Sequence, residues 1–201
     1  MKRTALAPLT VLATLVLGGC AGAPSASSPA PAPTTTVTRA PPETTAPLPS
    51  PSVAPNAPAG QCLNENLALS LGQPDGAAGS EYVDIIFTNT GSEPCALRGA
   101  PGVSVVGGGN GSQIGAAAEQ TEPANPPTIQ LAPSGTAKAT LKSVNIGTDG
   151  GPLADQCTVT TGDGYRVYPP HSFDSVFVAS PGVPACSNTV VWMSVTAVAA
   201  G

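Results

Sequence analysis

From Leu67 onward, apolar residues recur at every second position in short runs, and most runs stop at proline or glycine. Alternation of period two puts one set of side chains on each face of an extended chain, the signature of half-buried strands. The 24 prolines and 23 glycines of the 201-residue chain interrupt it too often for long helices. Leu67, Leu69 and Leu71 form the face of a first predicted strand, followed by a turn at Gln73-Pro74-Asp75-Gly76. Residues 81–89 form a second, with Val83, Ile85 and Phe87 on one face, stopped by Asn89-Thr90-Gly91-Ser92. Further strands are expected at 103–106, 128–131, 136–142, 165–168, 172–179 and 190–198. A glycine-rich tip, 107–111, precedes a return strand at Gln113-Ile114, and the proline-rich stretch 122–127 crosses between sheets. Short strands at turn-punctuated spacing predict an all-β fold, an immunoglobulin-like β-sandwich of about seven to eight strands.

The N-terminus carries a different signal. Lys2 and Arg3 precede an apolar run from 5 to 17, which ends in Leu17-Gly18-Gly19-Cys20. A charged head, an apolar stretch and small residues before a cleavage point make a secretory signal peptide, here 1–19. A cysteine just after the small residues is the bacterial lipobox arrangement, in which Cys20 receives a diacylglycerol and becomes the new N-terminus. The apolar run is too short for a transmembrane helix, which needs about 20 residues. Two or more acyl chains anchor stably where one does not. The expected location is extracytoplasmic, lipid-anchored to the cell membrane through Cys20.

Residues 20–60 comprise this cysteine and a Pro/Ala/Thr/Ser-rich stalk with few large apolar side chains. Such a composition cannot bury enough surface to offset ordering entropy, so the stalk is expected to be disordered. Its prolines favour extended polyproline II, giving a reach of up to about 120 Å. The Ser, Thr and Pro mixture also suits O-glycosylation. Residues 61–201 are then one domain, large enough for a real core. Two of the seven basic residues, Lys2 and Arg3, leave with the leader, so the formal charge moves from −5 to −7. With no basic patch, nucleic acid is not an expected partner.

Once Cys20 is assigned to lipid, Cys62, Cys95, Cys157 and Cys186 remain, an even number suited to two disulfides in an exported domain. None belongs to a close C-x-x-C pair, which argues against zinc. Cys62 precedes the first strand and Cys95 follows the second. Cys157 and Cys186 likewise flank the strands at 165–168 and 172–179. If each strand pair is a hairpin, its two cysteines meet at one end, favouring Cys62–Cys95 and Cys157–Cys186.

The motif Asn89-Thr90-Gly91-Ser92-Glu93-Pro94-Cys95-Ala96-Leu97-Arg98-Gly99 continues into Pro101-Gly102-Val103. Leu131-Ala132-Pro133-Ser134-Gly135-Thr136-Ala137, Arg166-Val167-Tyr168-Pro169-Pro170 and Ala185-Cys186 follow in order. Over 61–198 the chain resembles the actinobacterial "domain of unknown function 4232" family of secreted proteins and lipoproteins. It departs from the family pattern at Ala96, where a hydroxyl residue is expected, and at Ala100, where an aromatic is common. The resemblance implies an immunoglobulin-like β fold and an actinobacterial envelope. It implies no activity and no functional residues.

Candidate chemistry is sparse. His171, the single histidine, sits beside Ser172 and near Asp174, but neighbours in a turn seldom converge into a triad. The expectation is a surface turn histidine. Copper would want clustered Met and His, whereas Met193 reads as a strand residue beside Trp192. Residues 107–112 lack the Lys and helix of a phosphate loop, and Asn110-Gly111-Ser112 is a weak glycosylation sequon. Asp149, Asp155 and Asp163, in an expected loop at 147–164, miss calcium-loop spacing. Lys138 and Lys142 should face water. Tyr168 and Phe173 are placed in or at the edge of the core. No catalytic, cofactor or metal residues are assigned, and no cofactor is expected.

The function expected from this architecture is a cell-envelope lipoprotein that presents a non-catalytic binding module to an envelope protein or glycan. One alternative is a carboxylate-based hydrolase or accessory subunit; another is a small-molecule or lipid carrier. A cleft with two or more buried carboxylates would favour the hydrolase, and a large apolar pocket the carrier.

Overall fold

The computed structural model describes residues 52–201, so the leader, Cys20 and most of the stalk lie outside the described residues. Thirteen strands form: β1 (Leu67–Leu71), β2 (Asp75–Ala77), β3 (Ser80–Asn89), β4 (Cys95–Arg98), β5 (Gly102–Gly107), β6 (Ser112–Ile114), β7 (Glu119–Thr121), β8 (Thr128–Leu131), β9 (Thr136–Val144), β10 (Val159–Tyr168), β11 (Val176–Cys186), β12 (Met193–Thr196) and β13 (Ala199–Ala200). One sheet has the order β1-β3-β9-β12-β7, with β2 added to β3 and β13 to β9. The second has the order β11-β10-β5-β6, and β4 and β8 form a separate ribbon. Strands pair antiparallel except β7 with β12, which are parallel. The result is the expected all-β sandwich. The strands beyond the expected number are two to four residues long, too short to show a period in the sequence.

The core lies between the sheets and is mostly aliphatic. On β3, Val83, Ile85 and Phe87 are buried; on β9, Ala137, Ala139 and Leu141 are. Val103 and Val105 on β5 and Val167 on β10 meet them from the opposite sheet. Complete burial of each larger side chain contributes about 1.5–3 kcal/mol. Lys138 and Thr140 occupy the outer face of β9 and grip Asp84 across the strand pair. Lys138 Nζ lies 3.0 Å from Asp84 Oδ2, and the Thr140 hydroxyl donates to Asp84 Oδ1 at 2.7 Å. The Thr140 hydrogen bond, then that from Lys138, holds the Asp84 carboxyl below its usual value.

Both disulfides form as the hairpin argument expects. β1 and β3 run antiparallel with Leu67 opposite Asn89, which brings Cys62 and Cys95 to one end, 4.9 Å apart at Cα. On β10 and β11, Val159 faces Cys186, and Cys157 reaches it with a Cα separation of 5.1 Å.

Several boundaries differ from the sequence reading. The tight turn lies at Ala78-Gly79 rather than at 73–76. Both residues have positive φ, at 48° and 78°, as a two-residue hairpin turn of type I′ requires. Asp75 and Gly76 are therefore strand residues of β2. Residues 172–175 form a loop, and β11 begins at Val176 but runs on to Cys186. Pro181 and Pro184 hid this extension. They are tolerated because β11 is an edge strand. β10 begins at Val159, not Tyr165, because an irregularity between Gly162 and Gly164 breaks the alternation. Residues 190–198 divide into β12 and the start of the β13 crossing.

The described end of the stalk is laid against the domain. Val53 bridges Ser172, the Ala54 N–H donates to the His171 carbonyl at 2.8 Å, and the Phe173 N–H donates to the Ser52 carbonyl at 3.0 Å. Composition placed 52–60 in a disordered stalk. These residues find partners because loop 169–175 offers unpaired backbone groups at a surface edge.

Asn89 ties two turns together. Its buried side-chain amide donates to the carbonyls of Glu93 (2.8 Å) and Leu131 (3.1 Å), and its Oδ1 accepts the Gly91 N–H at 2.9 Å. Asn89→Ala leaves three backbone groups without their partner. The expected loss is about 2–3 kcal/mol, seen as a lower urea midpoint with an unchanged denaturant slope. A loss below about 1 kcal/mol would show that water replaces the amide there.

Candidate functional site

The alternation of β10 places Tyr165 and Val167 inside and Arg166 outside. On β11, the neighbour in register with Arg166 is Phe177, which is 56% exposed. Its strand neighbour Val178 is buried, so Phe177 belongs to the outer face. The glycine-rich tip between β5 and β6 folds over this face. The Gly109 N–H donates to Asp163 Oδ2 at 2.8 Å, and the Arg166 guanidinium donates to the Gly111 carbonyl. Asn110 Oδ1 accepts the Ser112 N–H at 3.0 Å and shapes the tip. These bonds wall a groove of about 380 Å³ lined by Val106, Gly109, Gly111, Asp163, Arg166, Ser175 and Phe177.

The groove has an aromatic face, a guanidinium and a carboxylate held by backbone contacts. An exposed aromatic beside a planar cation suits contact with a sugar ring or a peptide. The sequence reading placed the tip correctly but missed Arg166 and Phe177 as a pair. The signal was parity: Phe177 alternates with Val176 and Val178, which marks it as an outward aromatic. Phe173, expected at the core or its edge, is 58% exposed in the loop before β11, while Tyr168 is half-buried. Phe173 moved outward because its loop is occupied with backbone pairing to Ser52, not with the core.

The other sequence candidates do not converge on a reaction centre. His171 is half-buried in loop 169–175, with a φ of 61°. Its Nδ1 lies 3.2 Å from Asn56 Oδ1. The Ser172 hydroxyl is engaged elsewhere, 3.0 Å from both Asn64 Oδ1 and the Asp174 carbonyl, and it accepts the Asp174 N–H at 3.1 Å. Asp149 accepts the Gly151 N–H two residues on, before a short 3₁₀ turn, whereas Asp163 braces the tip. Among the described residues no group of three His, Cys, Asp or Glu side chains could hold a metal. Met193 is buried in β12 next to Trp192, and Lys142 lies over the Tyr82 ring, 6.0 Å from its centroid.

A family model described as a domain of unknown function, DUF4232, matches residues 62–199. The chain belongs to this family. No curated protein and no solved structure matches it. Within this DUF4232 domain, Ala96 and Ala100, the two departures from the pattern, are both buried. Ala96 bonds through its backbone to Gly60 and Cys62, so the strip before β1 runs directly over it.

Burial, then the positive charge of Arg98, lowers the His171 pKa, against an opposing pull from Glu122. Neutral His171 is thus favoured by folding. That stability is full above the unfolded value near 6.5 and fades as pH falls from there through the lower folded value. Histidine NMR titration should place His171 below 6.5, and Arg98→Ala should move it upward. An unchanged value in Arg98→Ala would remove Arg98 as a cause.

Proposed function

We propose that this chain is an extracytoplasmic lipoprotein of an actinobacterial envelope, anchored through Cys20, whose DUF4232 domain is a non-catalytic binding module. Its contact face is the outer face of the β6-β5-β10-β11 sheet, centred on Arg166 and Phe177. The observation that carries the reading is the cross-strand pair itself. A large aromatic stands exposed beside a guanidinium held in place by the glycine-rich tip. The partner is an envelope protein or glycan. Support for a binding module over a hydrolase comes from the clefts, each of four being lined by a single carboxylate: Glu81, Asp163, Glu93 or Glu122. Support over a lipid carrier comes from the buried, mostly aliphatic side chains that occupy the space between the sheets, where the pocket lined in part by Trp192 is only about 50 Å³. The anchor rests on Leu17-Gly18-Gly19-Cys20 in the sequence. No helix of the described residues is long and apolar enough to cross a membrane.

The face is tested by photocrosslinking in living cells. A benzophenone amino acid at position 177 should capture a discrete partner, whereas the same group at position 82, on the opposite sheet, should not. Equal capture from both positions, or none from 177, would refute the assignment.

The anchor is tested by Cys20→Ala, which removes the thiol that receives lipid. The variant should move from the membrane fraction to the soluble fraction at normal abundance. Retention in the membrane fraction at the wild-type level would sink the proposal.

A further inference from the structure

β11, 11 residues long, is the outer strand of its sheet. Among the described residues no strand pairs with its free edge; β1, which ends the other sheet, approaches it without pairing. A long unpaired edge presents a row of N–H and C=O groups, which natural sheets cover or blunt. The contact with β10 shows which groups these are. The Val178 carbonyl and the Ser180 nitrogen both lie against Gly164. Backbone groups alternate in direction along an extended chain, so those of Phe177 and Ala179 face the edge.

The described chain already begins to cover this side. Val53 bridges Ser172 in the antiparallel sense, and the Phe173 N–H donates to the Ser52 carbonyl. The Asp174 carbonyl is taken from elsewhere, by the Asn64 amide at 2.7 Å. The groups of Phe173 that meet the strip are thus in phase with those of Phe177 and Ala179. The chain bends at Phe173 and Asp174, and a strand laid beside it must follow that bend. Counting back from the bridge, Pro51 comes opposite Asp174, Ser50 opposite Ser175, Pro49 opposite Val176 and Leu48 opposite Phe177.

The residues that precede the described ones fit this register. They read Pro47-Leu48-Pro49-Ser50-Pro51. Proline has no N–H to give and is tolerated on an edge strand where its nitrogen faces away from the sheet. Here all three prolines fall at positions whose backbone faces away, while Leu48 and Ser50 keep the N–H groups that face β11. A slip of one residue would aim every proline at the edge. Leu48 is also the one large apolar side chain between Val37 and Val53. Directly opposite residues share a face, so Leu48 meets Phe177, which is otherwise open to water. The segment is tethered at the right distance: Leu48 lies four residues from Ser52, as Phe177 does from Phe173. Such a tether holds it at high effective concentration.

We infer that residues 47–51 add a short antiparallel strand to the edge of β11, with Leu48 packed on Phe177. The stalk is thereby fastened to the domain as far as the groove. The pairing goes beyond the binding reading and does not rest on it.

Amide hydrogen exchange on the full chain reads the pairing at Phe177, whose N–H faces the edge. This amide should exchange at least about tenfold slower in the wild type than in Ser50→Pro, which removes an inward donor. Leu48→Ser, which removes the apolar contact, should also speed exchange there. Pro49→Ala adds only an outward N–H and should leave the wild-type protection. The amides of Ile85 and Leu141 should stay protected in every variant, which shows the domain folded. Equal exchange at Phe177 in the wild type and Ser50→Pro, or the same acceleration from Pro49→Ala, would overturn the inference. Protection that appears only as protein concentration rises would place a second copy on the edge and overturn it too. Partner capture from position 177 is a separate measurement, and its failure leaves this result standing.

Discussion

The pairing of β3 with β9 sets the geometry of everything else. Phe87 stands opposite Ala137, Ile85 opposite Ala139 and Val83 opposite Leu141. Large residues on one strand thus meet mostly small ones on the next, which lets the second sheet pack close. A slip of one residue would bring Lys138 and Thr140 into that space and turn Ala137 and Ala139 to water. The cost of burying an unpaired ammonium makes the register unambiguous. From this pair the sheet grows outward through β1 and β12, and the ends of its strands place the Asn89 corner and the Trp192 pocket.

The parts legible in the sequence share one property, a strong local signal. The inward faces of β3 and β9 follow from strict alternation, and the two disulfides follow from where the cysteines sit relative to antiparallel strands. What escaped depends on long-range context. Pro181 and Pro184 argue against a strand until β11 is known to be an edge. Gly162 and Gly164 break the period of β10 through a local irregularity. The 52–60 strip is compositionally a stalk, and only the unpaired backbone of loop 169–175 gives it a place. Arg166 and Phe177 could be assigned to an outer face by parity, but their adjacency requires the register of β10 with β11.

The Phe177 groove and the Trp192 pocket differ in how they are held. The Phe177 groove is built by a flexible sequence, five residues rich in glycine, made definite by bonds to Asp163 and Arg166. The Trp192 pocket is lined by residues of both sheets and of the segments that flank β9 and β12.

The strip at 52–60 has a mechanical consequence. Within it, tension on the chain before Ser52 would first peel away the backbone bonds to His171 and Phe173, then the contact between Arg98 and the Asn56 carbonyl. Each released residue would lengthen the chain by about 3.3–3.6 Å, so the strip would give way before the domain took the load. Peeling stops at Cys62. There the covalent bond to Cys95 splits the load between β1 and β4, and the force enters the domain through two strands instead of one.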